Sequence, residues 1–304
     1  SPQSSRPAFG IVQDSLVGAR LLTRRGVLLS RYDSLRIVAH IKAYEGSSEQ
    51  PNLPPPAILA PEAKWTGSQL FSLLLPNSMN MGGDVASFFD EDANDANDKH
   101  AKRIIVRNGQ LLSGRLSKST LGATSRGIVD HICRLHGGQK RAIEFLANTQ
   151  RVVNAWLLFY NSFSIGASDC VISADTEGAV RARIASALLR TDKIAAARIP
   201  TALLSVAEAA KTTILNDVVL STAGLIAEAA CENSIVQCVA SGSKGGALNI
   251  AQVGGQLGQQ IVAGSRIGSG SKARALPSMP ISSRLSRADA SEHGFISNSF
   301  LLGL

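Results

Sequence analysis

Apolar and polar positions follow different rhythms in the two halves of this 304-residue chain. In the first half the apolar runs are short. Residues 103–107 and 110–116 flank Asn108-Gly109, a pair that accepts the positive φ of a tight turn, so a β-hairpin is predicted there. The Pro-rich residues 51–61 predict extended, irregular chain, because Pro fixes φ and restricts the residue before it. Gly127 and the pair Gly137-Gly138 bracket residues 128–135, which predicts a short helix that stops before a longer one. From 140 to 159, Ile143, Leu146, Val153, Trp156 and Leu157 recur at helical spacing, and their face is expected to anchor this part of the fold. In the second half, residues 177–197 and 202–230 are rich in Ala, Leu and Ile, with Pro200 where one helix should stop and another begin. An antiparallel helical hairpin is therefore expected.

Charge narrows the class of partner. The net charge is +8, which points toward polyanions. Residues 82–98 carry six acids and no base, whereas residues 99–151 carry eleven bases against Asp130 and Glu144. That basic stretch is either a polyanion-facing surface or a solvated face. Aromatic residues make up only 5% of the chain, so contact through backbone and phosphate is expected in place of base stacking. The four cysteines, Cys133, Cys170, Cys231 and Cys238, form no C-x-x-C pair, which argues against both a zinc ribbon and a disulfide framework. His131, Cys133 and His136 lie close together, yet no second ligand pair stands at zinc-finger spacing. No apolar run reaches the roughly 18 residues of a membrane span, and no membrane partner is expected.

The acidic residues 88–98 could pass for a metal loop. Read as an EF-hand loop starting at Asp90, the sixth position would be Asp95 in place of Gly and the twelfth Ala101 in place of Glu, so a solvated loop is the better reading.

The candidate chemistry lies late in the chain. Residues 242–267, GSKGGALNIAQVGGQLGQQIVAGSRI, hold seven glycines, four glutamines, one Asn, and only Lys244 and Arg266 as charges. Gly allows turns and close backbone approach, and Gln252, Gln256, Gln259 and Gln260 offer neutral donors and acceptors. A phosphate-bearing ligand fits this composition, and so does a Gly-rich helix-packing turn. A Walker loop does not fit, because Ser243 precedes the Lys and Gly245 follows it.

GSKGGALNIAQ followed by GQQIVAGSRI is similar to a signature of the largest subunit of the multisubunit DNA-directed RNA polymerases. Residues 6–23 (RPAFGIVQDSLVGARLLT), 64–77 (KWTGSQLFSLLLPN), 108–122 (NGQLLSGRLSKSTLG), 148–169 (NTQRVVNAWLLFYNSFSIGASD) and 293–304 (HGFISNSFLLGL) resemble further blocks of that family in the same order. The flavour resembles eukaryotic polymerase II or a large DNA virus. The compartment would be the nucleus in the first case, and host cytoplasm or virion in the second.

The resemblance implies an α+β fold in three parts: a mixed pore domain over residues 1–165, a funnel helical hairpin over 166–240, and a Gly-rich active-site-facing segment over 241–304 that leads toward the bridge helix. It implies a role in nucleotide access for DNA-templated RNA synthesis. A non-catalytic nucleic-acid-binding or scaffold module derived from that subunit is the alternative. Lys244 would lie near the phosphates of the incoming nucleotide, with Asn249, Gln252, Gln259, Gln260 and Arg266 lining the adjoining pocket. Gln13 and Asp14 would either brace the backbone or form a structural turn.

The family's Mg2+ is held by an NADFDGD motif that precedes the GIVQD block, so its ligands are expected outside this segment. The segment alone is expected to be inactive, as an internal piece or split product. Expected partners are template DNA, product RNA, nucleoside triphosphates, the second-largest subunit and other polymerase subunits, and a transcript-cleavage factor at the funnel. Residues 265–280 and Leu302 depart from the family pattern, so inhibitor sensitivity is not implied.

Overall fold

The computed structural model describes residues 3–42, 51–84, 103–230, 233–262, 265–266 and 294–301. The fold is α+β, as the sequence predicts, and the chain divides into two compact units. One comprises Ser1–Ser164 with Gln237–Lys244, the other Ile165–Val236 with Gly245–Leu304.

In the first unit the described elements run α1 (Asp14–Leu22), β1 (Leu28–Leu29), α2 (Arg31–Val38), β2 (Trp65–Thr66), α3 (Gly67–Ser72), β3 (Met81–Asp84), β4 (Arg103–Arg107), β5 (Gln110–Ser113), α4 (Lys118–Leu121), α5 (Ile128–Leu135) and α6 (Gly138–Phe159). The expected hairpin is present as β4–β5, with Asn108 at φ 47° and Gly109 at φ 73° in its turn. Antiparallel β3 completes a three-stranded sheet. Along β4 the side chains alternate: Ile104 and Val106 are buried while Arg103 and Arg107 are exposed. That is the period-two pattern of a sheet with one wet face.

The Pro-rich stretch is irregular, as expected, but it is fastened by side chains. The Trp65 indole N–H donates to the Pro54 carbonyl at 2.6 Å, and the Gln69 amide donates to the Pro55 carbonyl at 2.9 Å. Gln69 also closes a capping box at the start of α3. The Gln69 N–H donates to Thr66 Oγ1 at 3.2 Å, and the Thr66 N–H donates to Gln69 Oε1 at 2.9 Å, satisfying two N–H groups that a helix start otherwise leaves unpaired.

Helix α6 supports the core largely with the expected face: Val153 and Trp156 are buried, Leu146 and Leu157 pack partly buried against the core, and Ile143 alone of the five points away. Ile143 is 63% exposed, and the buried stripe is Ala142, Phe145, Asn148, Thr149, Val152, Val153, Ala155 and Trp156. The stripe includes two polar residues, which a count of apolar letters passes over. Asn148 serves there as an acceptor, taking the Lys42 N–H at 3.0 Å. Phe145 meets Phe71 of α3 edge-on, with centroids 6.2 Å apart, and Leu16, Leu22, Ile37, Leu70, Ile104, Leu116, Leu121 and Ile132 complete the core around them.

The second unit carries the expected hairpin. Helices α7 (Ala174–Ala196) and α8 (Leu204–Ala229) are joined through Pro200 and a 3-10 turn at Thr201–Leu203. They bury Val180, Ile184 and Ala187 on one side and Leu215, Val218, Thr222, Ala223 and Ile226 on the other. Ser173 caps α7 by accepting the Thr176 N–H at 3.3 Å. Helix α9 (Ser234–Ser241) follows, then α10 (Ala247–Ile250), which runs into a π-helical turn at Ala251–Gly255. Two small antiparallel pairs close the description: β6 (Gly258–Gln259) with β9 (Phe295–Ile296), and β7 (Ile261–Val262) with β8 (Ser265–Arg266). Among the described residues no single helix is long and apolar enough to cross a membrane.

Two substitutions at the start of α3 separate capping from packing. Thr66→Ala removes the cap and is expected to cost about 1 kcal/mol. Gly67→Ala places a Cβ against the Leu22 carbonyl oxygen and is expected to cost about 1–3 kcal/mol through overpacking. Urea unfolding midpoints of the two variants, compared at constant m-value, would check both the order and the sizes.

Candidate functional site

The loop that leaves α9 is shaped by backbone geometry. Gly242 and Gly245 sit at φ 74° and 76°, values that side-chain-bearing residues rarely adopt. The turn is tied down by the Gly242 N–H donating to the Val239 carbonyl at 3.0 Å and the Ser243 N–H to the Cys238 carbonyl at 3.1 Å. Lys244 emerges from this turn exposed, and its ammonium makes no hydrogen bond or ion pair among the described residues. An unpartnered point charge on a fastened loop is a group held ready for an anion.

Two other blocks of the first unit, residues 6–23 and 108–122, meet beside this loop. Gly10, in the GIVQD block, lies so close to Gly122 and Ala123 that a Cβ would collide with their backbone, and the Ile11 N–H donates to the Leu121 carbonyl at 2.9 Å. Gly242 in turn lies against Lys118, where a Cβ would come within 2.6 Å of the lysine's own Cβ. Gln13 caps the start of α1 at φ 55° and ψ −136° with no side-chain hydrogen bond. For a residue other than Gly, such a conformation costs on the order of 1–3 kcal/mol. Asp14 follows it, exposed. The Cys238 thiol is pushed up chiefly by burial and further by the Asp14 charge, with a hydrogen bond from Ser243 opposing. The Asp14 charge thus acts on Cys238 within α9. Beneath, buried Arg115 donates to Gln237 of α9 at 3.4 Å.

Asn249, Gln252, Gln259, Gln260 and Arg266 fall in the second unit, apart from Lys244 in the division of the chain. Their amides are largely spent on local structure. Asn249 caps α10, its Oδ1 accepting the Gly246 N–H at 2.8 Å. Gln252 donates to the Leu257 carbonyl at 3.4 Å, Gln259 to the Gln260 carbonyl at 2.9 Å and Gln260 to the Gly258 carbonyl at 3.3 Å. Arg266 pairs with Ile261 in the β7–β8 ladder.

The glycines here serve packing. A Cβ on Gly254 would meet Ile172 at 3.0 Å, one on Gly255 would meet Thr222 at 2.8 Å, and one on Gly258 would meet Val219 at 2.5 Å. The two readings of the Gly-rich segment thus divide along its length: the part in the first unit presents a free cation, and the part in the second packs on α8. Gln256, named from the sequence among the neutral donors and acceptors but not placed in the adjoining pocket, is fully buried with both amide atoms lacking a partner among the described groups.

His131, Cys133 and His136 do not form a metal centre. The two imidazoles stack with centroids 5.4 Å apart, His136 Nδ1 and Ser78 Oγ share a hydrogen bond of 3.1 Å, and Cys133 is a free thiol. Among the described residues, no group of three or more His, Cys, Asp or Glu side chains converges on a point. These residues therefore do not fit a Mg2+ site. The acidic residues 88–98 lie outside the described residues.

The His131 imidazole titrates below its ordinary value because burial disfavours the cation and His136 adds repulsion, with Asp130 partly opposing. The neutral ring is the folded form, and the unfolded chain binds the extra proton. Stability is thus complete above the unfolded value of 6.5 and falls as pH drops below it. A lower urea midpoint at pH 5.5 than at pH 7.5 is expected, with a smaller drop in His131→Gln.

The sequence matches the family described as RNA polymerase Rpb1, domain 3, over residues 1–170, and that described as RNA polymerase Rpb1, domain 4, over residues 192–296. The first match alone spans more than half of the 304 residues, and the two follow the order of the blocks that the sequence presents. The chain belongs to the largest-subunit family of the multisubunit DNA-directed RNA polymerases, enzymes of nucleotidyl transfer, and represents the pore and funnel region of that subunit.

Proposed function

We propose that this chain admits nucleoside triphosphate to the polymerase centre and steadies its phosphates with Lys244. In this reading residues 1–165 form the pore, 166–240 the funnel hairpin, and 241–304 the segment that leads to the active site. The observation that carries the proposal is the exposed, unpartnered ammonium of Lys244 on a loop fastened by Gly242 and Gly245, in the same compact unit as the GIVQD block.

The chemistry asked of Lys244 is electrostatic. In template-directed synthesis the RNA 3′-hydroxyl attacks the α-phosphate, and a fixed cation beside the phosphates costs no reorganisation when charge moves during the reaction. A lysine presents a compact charge with three donors, which suits phosphates of varying geometry better than a planar fork. Asn249, Gln252, Gln259, Gln260 and Arg266 are proposed to shape a substrate-facing wall within the second unit, since most of their described contacts are with backbone. The metal ions used by the complete enzyme would be held outside the described residues, so the chain alone would be inactive. Template DNA, product RNA and the second-largest subunit would complete the assembly, and a transcript-cleavage factor would approach the funnel hairpin.

Lys244→Ala in the assembled polymerase is expected to raise the apparent KM for nucleoside triphosphate about tenfold, the scale of one charge-assisted contact. Unchanged KM and kcat would remove Lys244 from the site. The isolated chain is expected to give no template-directed product. RNA synthesis by it alone would overturn the division of labour proposed here.

A further inference from the structure

Ile143 is the apolar residue of α6 that turns away from the core, and it turns toward a groove of about 490 Å3 within the first unit. Residues 5–9 form one wall of this groove, and α5 with the start of α6 forms the other. Gln139, Ala142, Ile143 and Leu146 line it together because they repeat at i, i+3, i+4 and i+7, one stripe of a helix. Val129 and Ala142 are buried in its floor, and Leu146 packs partly buried against the core. Phe9 stands at its edge, 75% exposed. A single exposed apolar side chain is ordinary. Two large ones flanking an apolar floor make a contiguous patch, which is the mark of an interaction site. The volume also falls in the range of about 300–1,000 Å3 typical of binding pockets.

The charges around the groove are set before anything enters it. The Asp130 carboxylate accepts the Arg126 N–H at 2.9 Å and the Arg134 Nε–H at 2.7 Å. Arg134 also donates to the Ser5 carbonyl at 3.0 Å, which ties the two walls together. Asp130 is the one acid among the described lining residues, against the guanidinium groups of Arg6 and Arg134. The balance is positive, and the Arg134 side chain remains 58% exposed. An apolar floor with a cationic rim is complementary to a segment that joins an apolar side chain to a carboxylate.

We propose that this groove is a docking site for another subunit of the polymerase, which seats an apolar anchor between Phe9 and Ile143 and sets an Asp or Glu against Arg134. A largest-subunit chain works among protein neighbours, and the groove gives one of them a place to attach. The role of the site is assembly, separate from the nucleotide chemistry assigned to Lys244.

The test begins with assembled polymerase carrying Ile143→p-benzoylphenylalanine, a photo-crosslinking residue. Irradiation is expected to join position 143 to a second subunit, at a segment where an apolar residue neighbours an Asp or Glu. An adduct with nucleic acid, with another copy of this chain or with a segment lacking an acid would overturn the proposal, as would the absence of any adduct with another subunit.

A second measurement follows exchange of that subunit against a labelled copy, in polymerase carrying Ile143→Asp or Ile143→Lys. Both variants lose the apolar contact, and the fold tolerates either because position 143 is exposed. Ile143→Asp is expected to speed exchange about tenfold, the scale of losing one anchor residue. Ile143→Lys is expected to speed it less, because a lysine attracts the partner's carboxylate where an aspartate repels it. Wild-type exchange in both variants, or exchange in Ile143→Lys as fast as in Ile143→Asp, would overturn the proposal. The KM for nucleoside triphosphate is expected to stay unchanged in both, so the outcome is distinct from the fate of Lys244.

Discussion

The first unit depends on backbone meeting backbone. At Gly10 and Gly122 two segments more than one hundred residues apart in sequence come closer than any pair bearing Cβ atoms could, and at Gly242 the chain returns a third time to meet the residue that opens α4. Hydrophobic burial fills the space beneath, through Ile11, Leu16, Leu116 and Leu121, but burial is non-directional and would tolerate small offsets. Close backbone contact does not. A shift of an ångström at Gly10 or Gly242 would move Gln13, Asp14, Lys118 and Lys244 relative to one another. The glycines thus convert an ordinary core into a positioned set of charges.

What was legible in the sequence follows from which physical signals are local. The Asn108-Gly109 turn, the stops at Gly127 and Gly137-Gly138, and the break at Pro200 each act through the φ of one or two residues, and each element was found where expected. The inward face of α6 was legible only in its apolar part, because Asn148 and Thr149 are buried too, and Asn148 has a distant partner in the Lys42 N–H. A pattern of apolar letters carries no record of such a partner. Gln256 is a further case, since burial of an amide between two glycines and a leucine follows from the packing on α8 and not from composition.

The Gly-rich segment shows why a single motif can carry two physical roles. Its sequence is nearly uniform in small and amide residues, yet Gly242 and Gly245 are used for positive φ, whereas Gly254 and Gly255 are used for contact with Ile172, Ile226 and Thr222. The amides differ in the same way. Asn249 is committed to capping a helix, and Gln252, Gln259 and Gln260 are committed to carbonyls within a few residues of themselves. A side chain whose hydrogen bonds are already made can shape a wall but has less left to offer a ligand. Exposed free charge among the described residues of this stretch is therefore concentrated at Lys244, while the unpartnered amide of Gln256 is buried.

That concentration bears on what kind of recognition the region supports. Neutral amides that face their own backbone discriminate little between bases, which suits a channel that must pass every nucleotide. Cations on fixed stems respond to phosphate, the part that all four nucleotides share. In the proposed reading, exposed lysine charge would respond to the triphosphate tail and leave the choice of base to the template. Admission, which depends on charge, would then be separate from selection, which depends on pairing outside this chain.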